Sequence, residues 1–444
     1  MHFEHARATP CAWQGGRRAG VIIVDEERRS TVSRSGAGVG WSAVLTSWQE
    51  TNGQALFGDG AMTETADIII IGAGIVGCSI AYHLAAQGAD KVVVVEKDLI
   101  CSGATGKSAG GIRQQFATDL NVRLSLESLK MFHRMQDELG IDPAFRQVGY
   151  LFMATTPREL EMFRQQGEFQ QRYGIPVRIV SPDEIHGIVP YVRLEDIIGG
   201  VYCQTDGYAA PYEVTMGYAS AARRLGVKIH EKRAVTRVLC EGGRAAGVET
   251  QRGPIRAPVV VNAAGPEGGL IGKMAGVDVP VKPYRRQIFV TGLLSDFSTE
   301  PPLTIDYHRS WYFRGEMGGC LFSGPKDEES TFNTNVDWEH LAESVATAVA
   351  RVPILEEAEI KRGWAGSYDI SPDNNAILGA VAELPGFYLA TGHSGHGFMH
   401  GPATGKLMAE LILTGKTSLD ISSLGLDRFR TGKTVREPMT MHEA

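Results

Sequence analysis

The sequence predicts an α/β fold: a Rossmann-like nucleotide-binding domain with an inserted α+β domain that carries a mainly antiparallel sheet. Three observations predict it. A complete βαβ unit spans residues 67–96, a second apolar strand at 257–263 ends in a glycine-rich turn, and sheet-like segments interrupt the nucleotide-binding pattern. The 444 residues suffice for about two to three domains.

The βαβ unit carries the pattern that a bound dinucleotide requires. An apolar strand at 68–71 leads into Gly72, Gly74 and Gly77, then a helix and a second strand that closes at Glu96. Gly72 permits a sharp turn, Gly74 lets the backbone approach a pyrophosphate, and Gly77 lets the helix pack closely on the sheet. The helix N-terminus would face the phosphates. Glu96 would accept hydrogen bonds from ribose hydroxyls, which disfavours NADP but does not separate NAD from FAD.

Composition and charge exclude several classes of function. The net charge is −7 and no basic block occurs, so nucleic acid is not an expected partner. No apolar run reaches the ~18 residues of a membrane span. The six cysteines are scattered without a C-x-x-C pair, which argues against a zinc site and a disulfide framework. A reducing cytoplasm is therefore the expected location.

The two ends of the chain differ from its middle. Residues 1–61 are rich in Gly, Ser and Arg without strong periodicity, so we expect a disordered extension or a mis-assigned start, with Met62 as the initiator. The polar tail, 431–444, is expected to be loose.

Periodicity and capping residues predict the elements between these ends. The helical segments are 119–139, 157–173, a short helix from Ser181 to near Pro190, 211–225, 336–351 and 402–413. The strand-like segments are 149–154, 227–230, 234–240, 246–250, 257–263, 280–291, 312–324 and 387–391. They divide the chain into a nucleotide-binding domain of 66–145, 196–280 and 356–430 and a substrate domain of 146–195 and 281–355.

Six segments together resemble a known family. They are IIIIGAGIVG, KSAGGIRQQF, VVNAAGP, KPYRRQ, WAGSYDISPDNNAILG and GHSGHGFMHGPATGKLMAEL, and they run from about residue 66 to 429. In order and spacing they resemble the D-amino-acid oxidase superfamily of FAD-dependent oxidoreductases. Within it, the chain is most similar to sarcosine oxidase beta subunits, glycine oxidase and related secondary-amine dehydrogenases.

The resemblance implies non-covalently bound FAD and a set of residues around it. The pyrophosphate would lie against Gly72, Gly74, Ile75, Val76 and Gly77, and the adenosine near Glu96, Lys97, Ala264, Gly265 and the backbone of Val235. The ribityl chain and ring edge would meet Ser102, Ala104, Thr105, Ser108, Ala109, Gly110 and Gly111. The pyrimidine edge would meet Gly395, His396, Gly397, Phe398 and Met399, where a helix N-terminus can stabilise the negative charge of reduced flavin.

Two further expectations concern metal and covalent attachment. The two histidines of GHSGHG have no third ligand in view, so no metal is predicted. Cys320 lies about one residue from the position of the flavin-bound cysteine in monomeric sarcosine oxidase, which makes it a candidate for a covalent bond. The alternative is a small buried residue that replaces a glycine.

The resemblance also implies the chemistry: oxidation of the C–N bond of a secondary or N-methyl amino acid, sarcosine-like, proline-like or glycine. Hydride would pass to flavin N5, and the imine would hydrolyse. A carboxylate substrate requires a buried arginine. Arg314 matches the carboxylate clamp of glycine oxidase, with a salt-bridged sheet arginine as the alternative. Arg113 follows the flavin-lining loop, and its alternative is a contact with the flavin or a structural acid. Tyr284 and Tyr312 are candidates to shape the pocket or are plain core aromatics.

Some alternatives stay open. Met399 replaces a lysine of monomeric sarcosine oxidase, which puts simple sarcosine specificity in doubt. A second function class is a flavoprotein subunit or assembly factor that acts only within a larger complex, with partner chains or as a homo-oligomer. A third is an NAD-dependent dehydrogenase.

Overall fold

A computed structural model of the chain describes residues 63–295, 297, 300–324 and 330–439. The predictions for residues 1–61 and for the end of the tail, 440–444, lie outside the described residues. No helix among the residues described is long and apolar enough to cross a membrane.

The helices of the described chain are α1 (Ile75–Ala86), α2 (Asp119–Leu139), α3 (Pro157–Gln171), α4 (Pro182–Ile188), α5 (Pro211–Arg224), α6 (Gly268–Met274), α7 (Trp338–Arg351), α8 (Gly397–Thr414) and α9 (Asp427–Thr431). The strands are β1 (Glu64–Thr65), β2 (Ile68–Ile71), β3 (Val92–Val95), β4 (Gly111–Ile112), β5 (Tyr150–Ala154), β6 (Val177–Val180), β7 (Gly199–Cys203), β8 (Gly207–Tyr208), β9 (Lys228–His230), β10 (Val235–Glu241), β11 (Arg244–Thr250), β12 (Ile255–Arg256), β13 (Val259–Asn262), β14 (Lys282–Thr291), β15 (Leu303–Asp306), β16 (Trp311–Glu316), β17 (Gly319–Ser323), β18 (Ile360–Ile370), β19 (Ile377–Ala380) and β20 (Phe387–Thr391).

A six-stranded sheet in the order β19-β20-β13-β2-β3-β9 forms the nucleotide-binding domain. Its pairs are parallel except for β19 with β20. The runs IIII and VVVV of β2 and β3 are buried along their whole length, as expected for parallel strands covered on both faces. Ile71 pairs with Val95 and with Asn262, so the carboxyl ends of three strands meet at one edge. That edge is where open α/β sheets bind ligands.

The two faces of this sheet are covered differently. Ile68 and Ile70 pack in a core shared with α1, α2, α5 and α8. Ile69 and Ile71 pack toward α6 and a four-stranded sheet of β1, β12, β11 and β10. Helices α1 and α8 cross closely, since a Cβ at Gly405 would lie 2.0 Å from the Ser79 hydroxyl oxygen.

An eight-stranded sheet in the order β18-β14-β17-β16-β15-β5-β7-β6 forms the second domain. Every pair is antiparallel except β15 with β5. One face of this sheet packs on α7 through an aromatic core that contains Trp311, Phe313 and Phe322. The predicted fold class, a Rossmann-like domain with an inserted, mainly antiparallel α+β domain, is confirmed.

The predicted domain boundaries at 196 and 356 disagree with the sheet membership. Strands β7 and β18 were assigned by sequence to the nucleotide-binding domain, but both lie in the eight-stranded sheet. β18 pairs with β14 along its length, from Ile370 opposite Lys282 to Ile360 opposite Thr291. Such long-range pairing leaves no local signal. The segment predicted as one strand, 312–324, is a hairpin of β16 and β17.

The tail also differs from expectation. Residues 431–436 are exposed, but Glu437 and Met439 are buried. The Glu437 carboxylate accepts hydrogen bonds from the N–H groups of Ala117 and Thr118 at the start of α2. The prediction of a loose tail is therefore wrong for residues 437–439, because buried partners far away in sequence hold them.

Candidate active site

A cleft that opens to solvent lies at the carboxyl edge of the six-stranded sheet. The turns that follow β2, β3 and β13 form its floor. The turn before α8 forms the opposite end, called the ring end because the flavin ring is expected there. Of the predicted cofactor residues, it is lined by Gly72, Gly74, Ile75, Val76, Glu96, Lys97, Ser102, Ala104, Thr105, Ser108, Ala264, Gly265, Gly395, Gly397 and Phe398. Sequence reasoning alone had assigned no role to several others, among them Tyr368, Asp369 and His393.

The glycines after β2 create the space for a dinucleotide. Gly72 has φ of +105°, and a Cβ there would lie 2.5 Å from the Ala263 carbonyl oxygen. Gly74 is the N-cap of α1 and has no side chain to cap it, so the helix start faces the cleft, with the Ile75 N–H bonded to the Thr105 hydroxyl (3.2 Å). Gly77 does not line the cleft. A Cβ there would lie 2.0 Å from the Gly72 carbonyl oxygen, so its absence lets α1 pack on the turn.

Glu96 is held in place at the adenosine end of the cleft. Its carboxylate accepts hydrogen bonds from the N–H groups of Ala73 (2.8 Å) and Asp98 (2.8 Å). Burial raises the pKa of Glu96, and those two donors act in the opposite direction. The neighbouring Lys97 forms an ion pair with Glu267. Val235, predicted to meet the adenine, is not among the residues that line the cleft.

The loop of small residues after β3 leads from the cleft to a second cavity. Ser108 lines both, and its hydroxyl is buried without a hydrogen-bond partner in the described part of the chain. A buried hydroxyl of this kind requires a partner, and a polar ring edge supplies one. The helix start, the glycine turn and this hydroxyl together fit FAD.

The turn before α8 closes the ring end of the cleft. The helix starts at Gly397 rather than at the predicted 402, with His396 as its N-cap. A Cβ on Gly395 would lie 2.5 Å from the Tyr368 ring, so the turn and that ring are in close contact. With FAD in the cleft, the N-terminal end of α8 would lie near the ring and could stabilise the negative charge of the reduced flavin.

A second, smaller cavity adjoins the cleft. Its walls combine aromatic and aliphatic side chains with polar groups in comparable measure. It is lined by Ser108, Ala109, Gly110, Gly111, Arg113, Tyr150, Phe152, Leu303, Ile305, Tyr312, Tyr368, Ser394, Gly395, His396, Phe398, Met399 and Met439. Except for Gly77 and Val235, every predicted cofactor residue therefore lines one of the two cavities.

Arg113 is the cation of this second cavity. Its Nη1 donates to the Gln115 carbonyl, and its Nη2 donates to the Met439 carbonyl (2.6 Å) and lies 3.2 Å from His396 Nε2. The guanidinium lies 4.0 Å from the centre of the Phe116 ring. Burial lowers the pKa of Arg113. Among the described residues, no carboxylate forms an ion pair with it.

Arg314, the other predicted carboxylate ligand, has a different environment. Its Nε donates to the Ala109 carbonyl (2.9 Å), and its Nη1 forms an ion pair with Glu316 (2.7 Å). The guanidinium also lies over the Tyr208 ring. Arg314 does not line the second cavity, whereas Tyr312, two residues earlier on β16, does. The charge of Arg314 is thus already balanced, and the side chain supports the loop at Ala109.

Tyr284 and Cys320, like Arg314, line neither cavity. Tyr284 lies on β14. Cys320 is fully buried in the aromatic core on the opposite face of the eight-stranded sheet, with Phe313 and Phe322. Burial raises the pKa of the Cys320 thiol, which makes it less reactive.

Acid precipitation is therefore expected to release all of the flavin into the supernatant, because the Cys320 sulfur faces the wrong side of its strand. The measurement is the absorbance of the pellet and supernatant after trichloroacetic acid treatment. A yellow pellet would show that the thiol reaches the cofactor after all.

Asp206 supports the segment that carries Arg113. Its buried carboxylate accepts hydrogen bonds from the backbone N–H of Gln114 (2.9 Å) and from the side-chain amides of Gln114 (2.8 Å) and Gln115 (3.1 Å). Burial raises the pKa of Asp206 from 3.8 to about 6, although these donors favour the charged form. The folded state therefore binds this proton more tightly than the unfolded chain does.

The stabilisation from protonated Asp206 is thus complete below about pH 4 and lost as the pH rises through about 6. The difference between the pKa values of Asp206 in the unfolded and folded states corresponds to about 3 kcal/mol in the free energy of unfolding. We expect Asp206→Asn to remove this pH dependence from the free energy of unfolding, measured in urea between pH 4 and 7. Parallel curves for the variant and the wild type would contradict the assignment.

Comparisons with known proteins agree with this geometry. The family model described as FAD dependent oxidoreductase (DAO) matches residues 67–411. Mitochondrial dimethylglycine dehydrogenase of Rattus norvegicus is 31% identical over 388 residues, covering 82% of this chain and 45% of the relative. Mitochondrial sarcosine dehydrogenase of Homo sapiens is 30% identical over 389 residues, covering 84% and 42%. The chain thus spans less than half the length of these two relatives.

A solved structure covers the chain more evenly. The crystal structure of L-proline dehydrogenase from P. horikoshii matches with a TM-score of 0.79 and 35% identity, over 84% of this chain and 99% of that chain. The family model spans well over half of the 444 residues. The chain therefore belongs to the FAD-dependent oxidoreductase family named DAO, and its cofactor is FAD.

Proposed function

We propose that the protein oxidises the C–N bond of a secondary or N-methyl amino acid whose carboxylate binds Arg113. One observation carries the proposal: a buried arginine in the wall of a cavity beside the cofactor cleft, without a carboxylate ion pair among the described residues. Burial of an unpaired charge is costly, and a bound carboxylate would lower that cost. The relatives named for dimethylglycine, sarcosine and proline dehydrogenation support this substrate class.

The same cavity suits an uncharged amine. None of the described residues that line it is an aspartate or a glutamate. An ammonium group would face the positive charge of Arg113 with no carboxylate in the wall, so its pKa would fall and the neutral form would be favoured. The neutral form has the lone pair that assists the removal of hydride from the adjacent carbon.

The residues of the cavity then position the substrate. Bound FAD supplies the hydride acceptor. Arg113 would fix the carboxylate end, and Tyr150, Phe152 and Tyr312 would exclude water and confine the carbon chain. Met399 also lines the cavity. Its apolar side chain replaces the lysine of monomeric sarcosine oxidase, so the carboxylate would bind Arg113 without that second cation.

Anaerobic reduction of the flavin tests the proposal. The protein is mixed with proline, sarcosine, dimethylglycine or glycine, and with the matched amines pyrrolidine and dimethylamine, which lack the carboxylate. We expect at least one amino acid to bleach the flavin absorbance and its matched amine to do so far more slowly. If no amine bleaches it, the proposal fails and the function of a subunit within a larger complex is favoured.

Some predictions stay untested. Partner subunits or a homo-oligomer are compatible with a chain shorter than two of its relatives. The reducing compartment predicted from cysteine usage is compatible with the free thiols of Cys78, Cys101, Cys203, Cys240 and Cys320. Size-exclusion chromatography of the natively expressed protein would measure the state of assembly.

A further inference from the structure

The described end of the chain returns to the second cavity and forms part of its wall. The strap, defined as residues 437–439, ends at Met439, which is 1% exposed and lines the cavity. The Met439 carbonyl accepts the hydrogen bond from Arg113 Nη2. The Pro438 carbonyl accepts one from the Tyr307 hydroxyl (3.2 Å). The strap therefore contacts the cation that would bind the substrate.

Glu437 anchors the strap to the start of α2. Its carboxylate is fully buried and accepts hydrogen bonds from Ala117 N (3.0 Å), Thr118 N (3.2 Å) and Asn121 Nδ2 (3.1 Å). Thr118 is the N-cap of α2, yet its own side chain makes no capping bond. Glu437 instead accepts from the two N–H groups just before the first turn and from the Thr118 hydroxyl, and a negative charge is favourable at a helix N-terminus.

The same carboxylate fixes the position of Met439. Glu437 Oε1 accepts a hydrogen bond from Met439 N (3.0 Å), while Glu437 N donates to the Asp373 carbonyl (3.2 Å). Asp373 in turn forms a buried ion pair with Arg428. The strap is thus tied to α2 on one side and to the segment before β19 on the other.

We infer that the strap determines which substrates fit: Met439 sets the size limit of the carbon substituent, and Glu437 is the positioning residue that holds Met439 against Arg113. The inference rests on the proposed function for the class of substrate. Methionine is flexible and apolar, so it fills the cavity without an ion or hydrogen bond of its own side chain. Shortening it would enlarge the space beside the carboxylate site.

Paired substrates of different size test the inference in the full chain. The variants are Met439→Ala and Met439→Phe, with Val435→Ala as the control because the Val435 side chain is 62% exposed. The measurement is the ratio of the kcat/KM values within each pair: pipecolate over proline, and N-ethylglycine over sarcosine. We expect Met439→Ala to raise at least one ratio about tenfold, the scale of one methylene in an apolar pocket. Met439→Phe should lower it, and Val435→Ala should leave it unchanged.

A binding measurement separates this inference from the proposed function. Acetate and pivalate are titrated into each variant, and the change in flavin absorbance gives their dissociation constants. We expect the affinity for pivalate relative to acetate to be higher in Met439→Ala than in the wild type. If the wild type oxidises no amine, the proposed function fails while this series still tests the strap. Unchanged ratios in both Met439 variants with full FAD content, or no carboxylate binding by the wild type, would overturn the inference.

Glu437→Gln distinguishes positioning from size selection. The glutamine keeps one acceptor oxygen, but its NH₂ would face N–H donors that now bind the other carboxylate oxygen, so the strap would loosen. We expect weaker binding of acetate and pivalate alike, with their ratio retained. Wild-type affinity for both in this variant would show that Glu437 does not position the strap.

Discussion

Replacing Arg113 with Met should lower kcat/KM for the amino acid substrate by about 30-fold to 5000-fold. Removal of one partner from a buried, hydrogen-bonded charge pair costs about 2–5 kcal/mol, and about 1.4 kcal/mol corresponds to a factor of ten. Most of the loss should appear in KM, because the carboxylate is bound before and during the reaction. Steady-state kinetics with the best amino acid of the anaerobic screen provide the measurement.

The controls for this variant use other arginines. Arg164→Met, on an exposed part of α3, should leave kcat/KM unchanged. Arg314→Met removes the support of the Ala109 carbonyl and should act mainly on FAD content. If Arg314→Met raises KM more than Arg113→Met does, with FAD content intact, the order of the two arginines is reversed and Arg314 is the carboxylate ligand.

Replacing Gly74 with Val should yield colourless protein. A Cβ at this position would lie 3.1 Å from the Thr105 hydroxyl, and two more methyl groups would fill the space for the pyrophosphate at the start of α1. We expect FAD affinity to fall at least about a hundredfold, because the backbone can no longer approach the phosphates. The ratio of absorbance at 450 and 280 nm, before and after addition of FAD, measures the loss.

A second glycine provides the control for that variant. Gly187→Ala lies in α4, where a Cβ would meet no atom within 4 Å. It should retain full FAD content and the wild-type melting temperature. Yellow Gly74→Val protein with wild-type FAD affinity would disprove the assigned location of the pyrophosphate.

The nucleotide-binding half of the fold could be predicted because its signals are local. The strand, the glycine turn, the helix and Glu96 are contiguous, and α2 has the predicted bounds of 119–139. The membership of β7 and β18 in the other sheet could not be predicted, since a strand carries no record of its distant partner.

In the candidate site, too, local features could be predicted from the sequence and long-range contacts could not. Turns that bind phosphate have a sequence pattern, and all but two of the predicted cofactor residues line one of the two cavities. The face on which Cys320 lies depends on a register of one residue, and a shift of one residue moves a side chain to the other face. The role of Glu437 depends on its meeting a helix start 320 residues away along the chain. Arg314 forms an ion pair with Glu316, whereas Arg113 forms none among the described residues, and only the folded structure shows this difference.

The close crossing of α1 and α8 has a consequence for redox energetics. The N-terminus of α1 faces the phosphate end of the cofactor cleft and that of α8 faces the ring end, while Gly405 and Ser79 fix the two helices to each other. Both ends of a bound FAD would thus contact helices that are fixed to each other. A substitution in this helix crossing would change both the retention of FAD and its midpoint potential without touching the isoalloxazine.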